Sequence, residues 1–190
     1  TDDIYEHILW SGPFINLLDA CPELYNRTVV LNGVSKAYAM TGWRIGYAGG
    51  PAELIKAMKI IQSQSTSNPC SIAQKAAVEA LNGPQDVIDT MLKAFHERHD
   101  YLIKRLSAMP GIQVLPADGT FYLFPNVQAV VTRLGLADDV AFAEALLDKA
   151  GIALVPGTAF GAPGCIRLSF ATDLDTLKEA MDRLESFIQA

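Results

Sequence analysis

The sequence predicts an α/β chain that passes into an α+β second half, and three observations carry that prediction. Two short β-branched runs, Thr28 to Leu31 and Trp43 to Ala48, bracket a single turn. Three patterns with apolar residues three and four apart follow, and each is opened by a proline or a polar break. Beyond Gly111 short strand and helix patterns alternate to the end.

Thr1 to Leu9 carries Ile4, Tyr5, Ile8 and Leu9, which suits the end of a buried strand running into a loop. Ser11 to Arg27, with Pro13 and Pro22, reads as loop. After the two strands, Pro51 opens a helix striped by Leu54, Ile55, Met58 and Ile61. Ser67, Asn68 and Pro69 end it, and Pro69 suits the first residue of an alanine-rich helix that closes at Asn82-Gly83. Pro84 starts the longest pattern, from Val87 to Leu106, which Met109 and Pro110 stop. Ile112 to Leu115, Asp118-Gly119 and Phe121 to Phe124 predict a hairpin. A helix is expected over Asp138 to Ala150, strands over Ile152 to Val155 and Cys165 to Ala171, and a last helix over Asp173 to Gln189.

With 190 residues, half of them hydrophobic, the chain can build a real core. Its net charge of -6 disfavours a nucleic-acid partner or an anionic membrane surface. Three widely spaced cysteines without a CxxC pair indicate neither a disulfide framework nor a zinc site, so no metal is expected. No apolar run is long enough to span a bilayer, the start lacks a signal-peptide pattern, and a cytoplasmic location is expected. The first residue is Thr1, not methionine, so a piece of something longer is expected.

The most informative stretch is NGVSKAYAMTGWRIGY, Asn32 to Tyr47. Lys36 and Arg44 stand there with no other charge between them, among small, apolar and aromatic neighbours. Desolvation would favour the neutral amine that a Schiff base needs, and a guanidinium between Gly42 and Gly46 suits a phosphate. A surface lysine and an ordinary ion pair fit the same spacing. Arg167, between Ile166 and Leu168, would be costly to bury without an anion, supplied either by a carboxylate side chain or by a ligand. His96 and His99, beside Glu97 and Asp100, could hold a metal but fit a solvated helix face better.

As strings, three segments resemble the class I pyridoxal-phosphate aminotransferases: DDIYE at the start, the Asn32 to Tyr47 stretch, and VPGTAFG with CIRLSFA from Val155 to Ala171. The resemblance covers nearly the whole chain, although family members are about twice as long. It implies a fold made of the last part of the three-layer, cofactor-binding large domain, residues 1–94, and a smaller α+β domain, residues 95–190. The long helix would join the two.

The resemblance also implies roles. Lys36 would hold pyridoxal 5′-phosphate as a Schiff base and move the proton. Arg44 and Ser35 would take its phosphate, Asp2 would pair with the ring nitrogen, and Tyr5 would donate to the ring oxygen. Arg167 would bind the substrate α-carboxylate, and Phe121 would line the substrate wall, although a core phenylalanine fits Phe121 equally well. The SNP stretch would approach the active site near the interface of a homodimer. The implied activity is transamination between an amino acid and a 2-oxo acid, with aspartate, glutamate or aromatic substrates, prephenate included. Lyases and synthases of the same fold, and a non-catalytic ligand-sensing domain, are the rival readings.

Overall fold

The first residues join a small sheet. In this computed structural model, which describes residues 1–189, Asp2 bridges Leu31 in the parallel sense, and the Asp3 N–H donates to Leu31 O at 2.9 Å. Ile4 to His7 then turns away. The buried Asp3 accepts from the Thr1 hydroxyl and from the Asn16 side-chain amide. Asn16 in turn caps helix α1, Leu17–Ala20, by accepting the Leu18 N–H at 2.7 Å. A 3₁₀ turn, Pro22–Arg27, follows. The stretch read as loop is therefore partly wound into short helical turns. Four and six residues show too little periodicity to be seen in the sequence.

Strands β1, Val30–Gly33, and β2, Gly46–Gly49, pair antiparallel, with Val30 opposite Gly49 and Gly33 opposite Gly46. The second strand begins later than the sequence suggests. Thr41–Trp43 forms a 3₁₀ turn, and Arg44 sits in the left-handed region at φ 50°, which ends any strand there. Helices α2, Ala52–Ser65, α3, Ser71–Asn82, and α4, Asp86–Ala108, complete the run. No residue of α2 is buried, so its apolar stripe faces outward. Helix α3 buries Ala73 and Ala77 and leaves Ile72 69% exposed.

The chain divides into two compact units, Thr1–Leu92 and Lys93–Ala190. The second is built on a three-stranded antiparallel sheet, order β3-β5-β4, from Tyr122–Leu123, Ile166–Ser169 and Val155–Pro156, where β4 is Val155–Pro156 and β5 is Ile166–Ser169. The expected hairpin does not form as a ladder. Gln113 makes one bridge, to Asn126, and Tyr122 and Leu123 pair with Ser169 and Leu168 of β5 instead. Pro116 has no N–H to give a ladder, and the Ala117 N–H goes to His99 Nε2 at 2.9 Å.

Three further helices belong to this unit: α5, Gln128–Arg133, α6, Asp139–Ala150, and α7, Leu174–Gln189. Helix α5 has no counterpart in the sequence reading. It holds because Val127, Val130 and Val131 are almost wholly buried, and burial outweighs the modest helix propensity of valine. Asp138 caps α6, and Gly151, at φ 64°, closes it in a conformation that disfavours other residues. Phe142, Leu146, Ile166, Phe170, Met181 and Leu184 meet in the core.

Candidate active site

In the first unit the residues of interest hang from adjacent backbone segments. Lys36 lies in the Ser35–Tyr38 turn that leaves β1. Val34 and Ala37, 1% and 2% exposed, anchor that turn in the interior. Lys36 is therefore half-buried rather than enclosed, and its Nζ stands 6.0 Å from the centroid of the Tyr5 ring. Tyr5 comes from the turn after Asp2, and Asp2 is bridged to β1. Asp2 is exposed, and its Oδ1 accepts the Ile4 N–H at 3.2 Å. Ser35 is half-buried beside Lys36. Arg44 opens the connection into β2, and its left-handed backbone leaves the guanidinium exposed, with Nη1 donating to Thr41 O at 2.7 Å. The left-handed Ala39 and Arg44 each store about 1–3 kcal/mol of backbone strain in this one segment.

Burial first, and the Glu6 carboxylate second, raise the Tyr38 and Tyr47 phenols above their usual range.

In the second unit β5 alternates, with Ile166 and Leu168 buried and Arg167 and Ser169 facing the other way. Val155 of β4 stands opposite Arg167, and Tyr122 of β3 stands opposite Ser169, one diagonal step from the arginine. The Arg167 guanidinium carbon lies 4.6 Å from the Tyr122 ring centroid and 4.5 Å from that of Phe160. No ion pair among the described residues includes Arg167. Of the two partners expected, the carboxylate side chain is thus not present there. Two aromatic faces take its place, each worth about 0.5–2 kcal/mol. Both rings lie within cation–π distance of the guanidinium, whose planar fork of N–H groups suits a carboxylate. Phe121 is half-buried, 5.3 Å from Phe95 and 4.6 Å from Tyr122 between centroids.

Phe160 ends a 3₁₀ turn, Gly157–Phe160, that is tied to α6. Asp139, wholly buried, accepts from Thr158 N–H and Oγ1, each at 2.7 Å, and from Gly164 N–H at 3.3 Å. Burial alone would raise this carboxyl, but the donated hydrogen bonds outweigh it and hold the group below its usual range. Sequence reasoning passed over Tyr122, Phe160 and Asp139. The alternation of GTFYLF offered a signal for Tyr122. An acid in the first turn of a helix is ordinary there and gave none for Asp139.

His96, His99 and Asp100 bring one ligand atom each within 4.8 Å of one another. Two of the three share a hydrogen bond, and His96 Nε2 stands 3.6 Å from Asp100 Oδ2. His99 Nε2 accepts the Ala117 N–H, so Nδ1 carries the proton that it shares with Asp100 Oδ1 at 2.9 Å. His99 is also 4% exposed, so it is not part of a solvated face as the sequence suggested.

With this geometry in view, the chain matches the family described as aminotransferase class I and II over residues 1–184. It belongs to that family. It is 55% identical to the aspartate/prephenate aminotransferase of Nitrosomonas europaea over 99% of its own length and 49% of that protein's. The crystal structure of an aspartate aminotransferase from Rhizobium meliloti superposes with a TM-score of 0.90 at 45% identity, over 98% of this chain and 48% of the other. An aromatic aminotransferase from Pyrococcus horikoshii gives a TM-score of 0.90 at 33% identity, over 99% of this chain and 50% of the other. The chain thus spans about half the length of the relatives it matches. Its α/β fold is that of their C-terminal half.

Proposed function

We propose that the protein carrying this chain is a pyridoxal-phosphate-dependent aminotransferase that moves an amino group between an amino acid and a 2-oxo acid. Aspartate, glutamate and aromatic amino acids, or prephenate, are the proposed substrates. The observation that carries the proposal is Lys36, an amine 6.0 Å from the Tyr5 ring on the turn that leaves β1, the strand to which Asp2 is bridged, in a chain of this family. One amine, one phenol, one carboxylate and one guanidinium form a donor set that fits a phosphorylated pyridine aldehyde.

When bound, that cofactor supplies an electron sink for the pair left at the substrate Cα. Asp2 would hold the proton on the ring nitrogen, Tyr5 would donate to the ring oxygen, and Arg44 with Ser35 would hold the phosphate. Lys36 Nζ would hold the cofactor through its aldehyde carbon, with loss of water, and as a free amine would take the proton from the substrate Cα. Arg167, with two rings against its guanidinium, would offer two parallel N–H groups to the α-carboxylate, with Phe121 at the substrate wall. In this reading residues 1–94 carry the cofactor and residues 95–190 carry the carboxylate-binding arginine. A homodimer is proposed on family resemblance. A cytoplasmic site is proposed on the three free cysteines.

The test is reduction of the protein with tritiated borohydride followed by peptide mapping. The label is expected on Lys36, and a label on another lysine would refute the assignment. Lys36→Ala is expected to lose transamination by a factor of at least about 10⁴ while the protein still binds cofactor. A spectral titration with a panel of amino acids then identifies the substrate.

A further inference from the structure

Arg167 is held by parts that have no role of their own in the proposed reaction. Its two ring contacts come from different sources: Tyr122 from strand β3, and Phe160 from the 3₁₀ turn that leaves β4. The strand is fixed by its ladder to β5, and the turn is held at its start by the Gly157 N–H to Cys165 O bond at 2.7 Å and further along by a side chain of α6. Asp139, at the start of α6, takes the N–H and the hydroxyl of Thr158 and the N–H of Gly164, one residue from each flank of Phe160's loop. Gly157 lets that loop lie flat, because a Cβ there would come within 2.3 Å of Ala162 O and 2.7 Å of Cys165 O.

We propose that Tyr122 and Phe160 form an aromatic clamp that sets the plane of the Arg167 guanidinium, and that buried Asp139 is the positioning residue that keeps Phe160 in the clamp. The proposal rests on the reading of Arg167 as the group that binds substrate carboxylate. With two rings at 4.6 Å and 4.5 Å from the guanidinium carbon, rotation of the cation is restricted and its N–H groups are held in place before any ligand arrives. Without Phe160 the guanidinium can rotate about its stem, and a carboxylate must pay the cost of fixing it. None of these three side chains has to touch the substrate for this to hold.

The test uses the cofactor-loaded protein that carries this chain, with steady-state kinetics on L-aspartate and a parallel measurement of binding of an amine lacking the α-carboxylate. Phe160→Leu is expected to raise KM for aspartate by about tenfold with kcat changed less than about threefold, and to leave amine binding unchanged. Phe160→Tyr is expected to restore KM. In an Arg167→Ala background Phe160→Leu is expected to cost nothing further, the signature of action through the arginine. Asp139→Asn is expected to raise KM in the same sense, and should it fold poorly, Thr158→Val, which removes one of the three donors, substitutes for it.

Ring currents provide a readout independent of turnover. The Arg167 side-chain protons are expected upfield in the NMR spectrum, and Phe160→Leu is expected to move them back. An unchanged KM and an unmoved Arg167 signal in Phe160→Leu would overturn the clamp, and so would an equal further loss in the Arg167→Ala background. If Arg167→Ala itself fails to discriminate aspartate from the amine, the carboxylate-binding reading fails. The NMR shift then decides the clamp separately.

Discussion

Asp139 shows how one side chain can be read through its donors. A depressed carboxylate stabilises the fold fully above the unfolded value of about 4, and that stability is lost as pH falls through the lower folded value. Replacing it with alanine leaves the buried Gly164 N–H unpaired and turns the Thr158 donors to water, at an expected cost of about 1–3 kcal/mol near neutrality. Urea titrations of the two proteins at a series of pH values check this. The gap between them is expected to be widest above about pH 4 and to shrink below it. Cys70 supplies a second prediction at this scale. It stands exposed just before α3, where the Ala73 N–H first and the Ile72 N–H second lower its thiol pKa. Iodoacetamide at limiting dose is expected to label Cys70 ahead of the half-buried Cys21 and Cys165, which peptide mapping would show.

At the scale of elements, the turn after β4 depends on Gly157. The oxygens that an added Cβ would strike belong to backbone, which cannot swing aside as a flexible side chain could. Gly157→Ala is therefore expected to destabilise the second unit by about 3 kcal/mol, measured by urea unfolding, and to shift the Arg167 side-chain protons along with Phe160. The same scale explains what the sequence could and could not disclose. Helices α4, α6 and α7 were legible because apolar residues recur along them and Asp138 and Gly151 mark the ends of α6. Strand β5 was legible as an apolar run interrupted by one arginine. The pairing of β3 was not, because Asp118-Gly119 is a good turn signal and the competing bond from Ala117 to His99 joins residues 18 apart. The candidate residues Lys36, Arg44 and Arg167 stood out as isolated charges in apolar surroundings. The aromatic partners of Arg167 emerge only once strand register places Tyr122 and the Phe160 turn around it.

At the scale of the whole chain, the two units bury apolar surface very unequally. The first relies on Ile8, Val34, Ile88 and the small side chains Ala37, Ala73 and Ala77. Leu54, Met58, Ile60, Ile61, Ile72, Val78 and Leu81 all remain exposed in the same unit. The second unit closes on Phe142, Phe170, Leu102, Leu106, Leu146, Leu184 and others that are almost wholly buried. A fully buried leucine or phenylalanine contributes about 1.5–3 kcal/mol, while an alanine offers far less surface to remove from water. The 190-residue chain is therefore expected to unfold in two stages, with the first unit leaving first. Both tryptophans, Trp10 and Trp43, lie in that unit, so their fluorescence reports on it alone, whereas circular dichroism at 222 nm reports on helices of both. In a urea titration the tryptophan midpoint is expected to coincide with the earlier phase of a biphasic helical signal. A single transition shared by both probes would mean that the small alanine-lined core draws its stability from the larger one, and the unequal burial would then not set the order of unfolding.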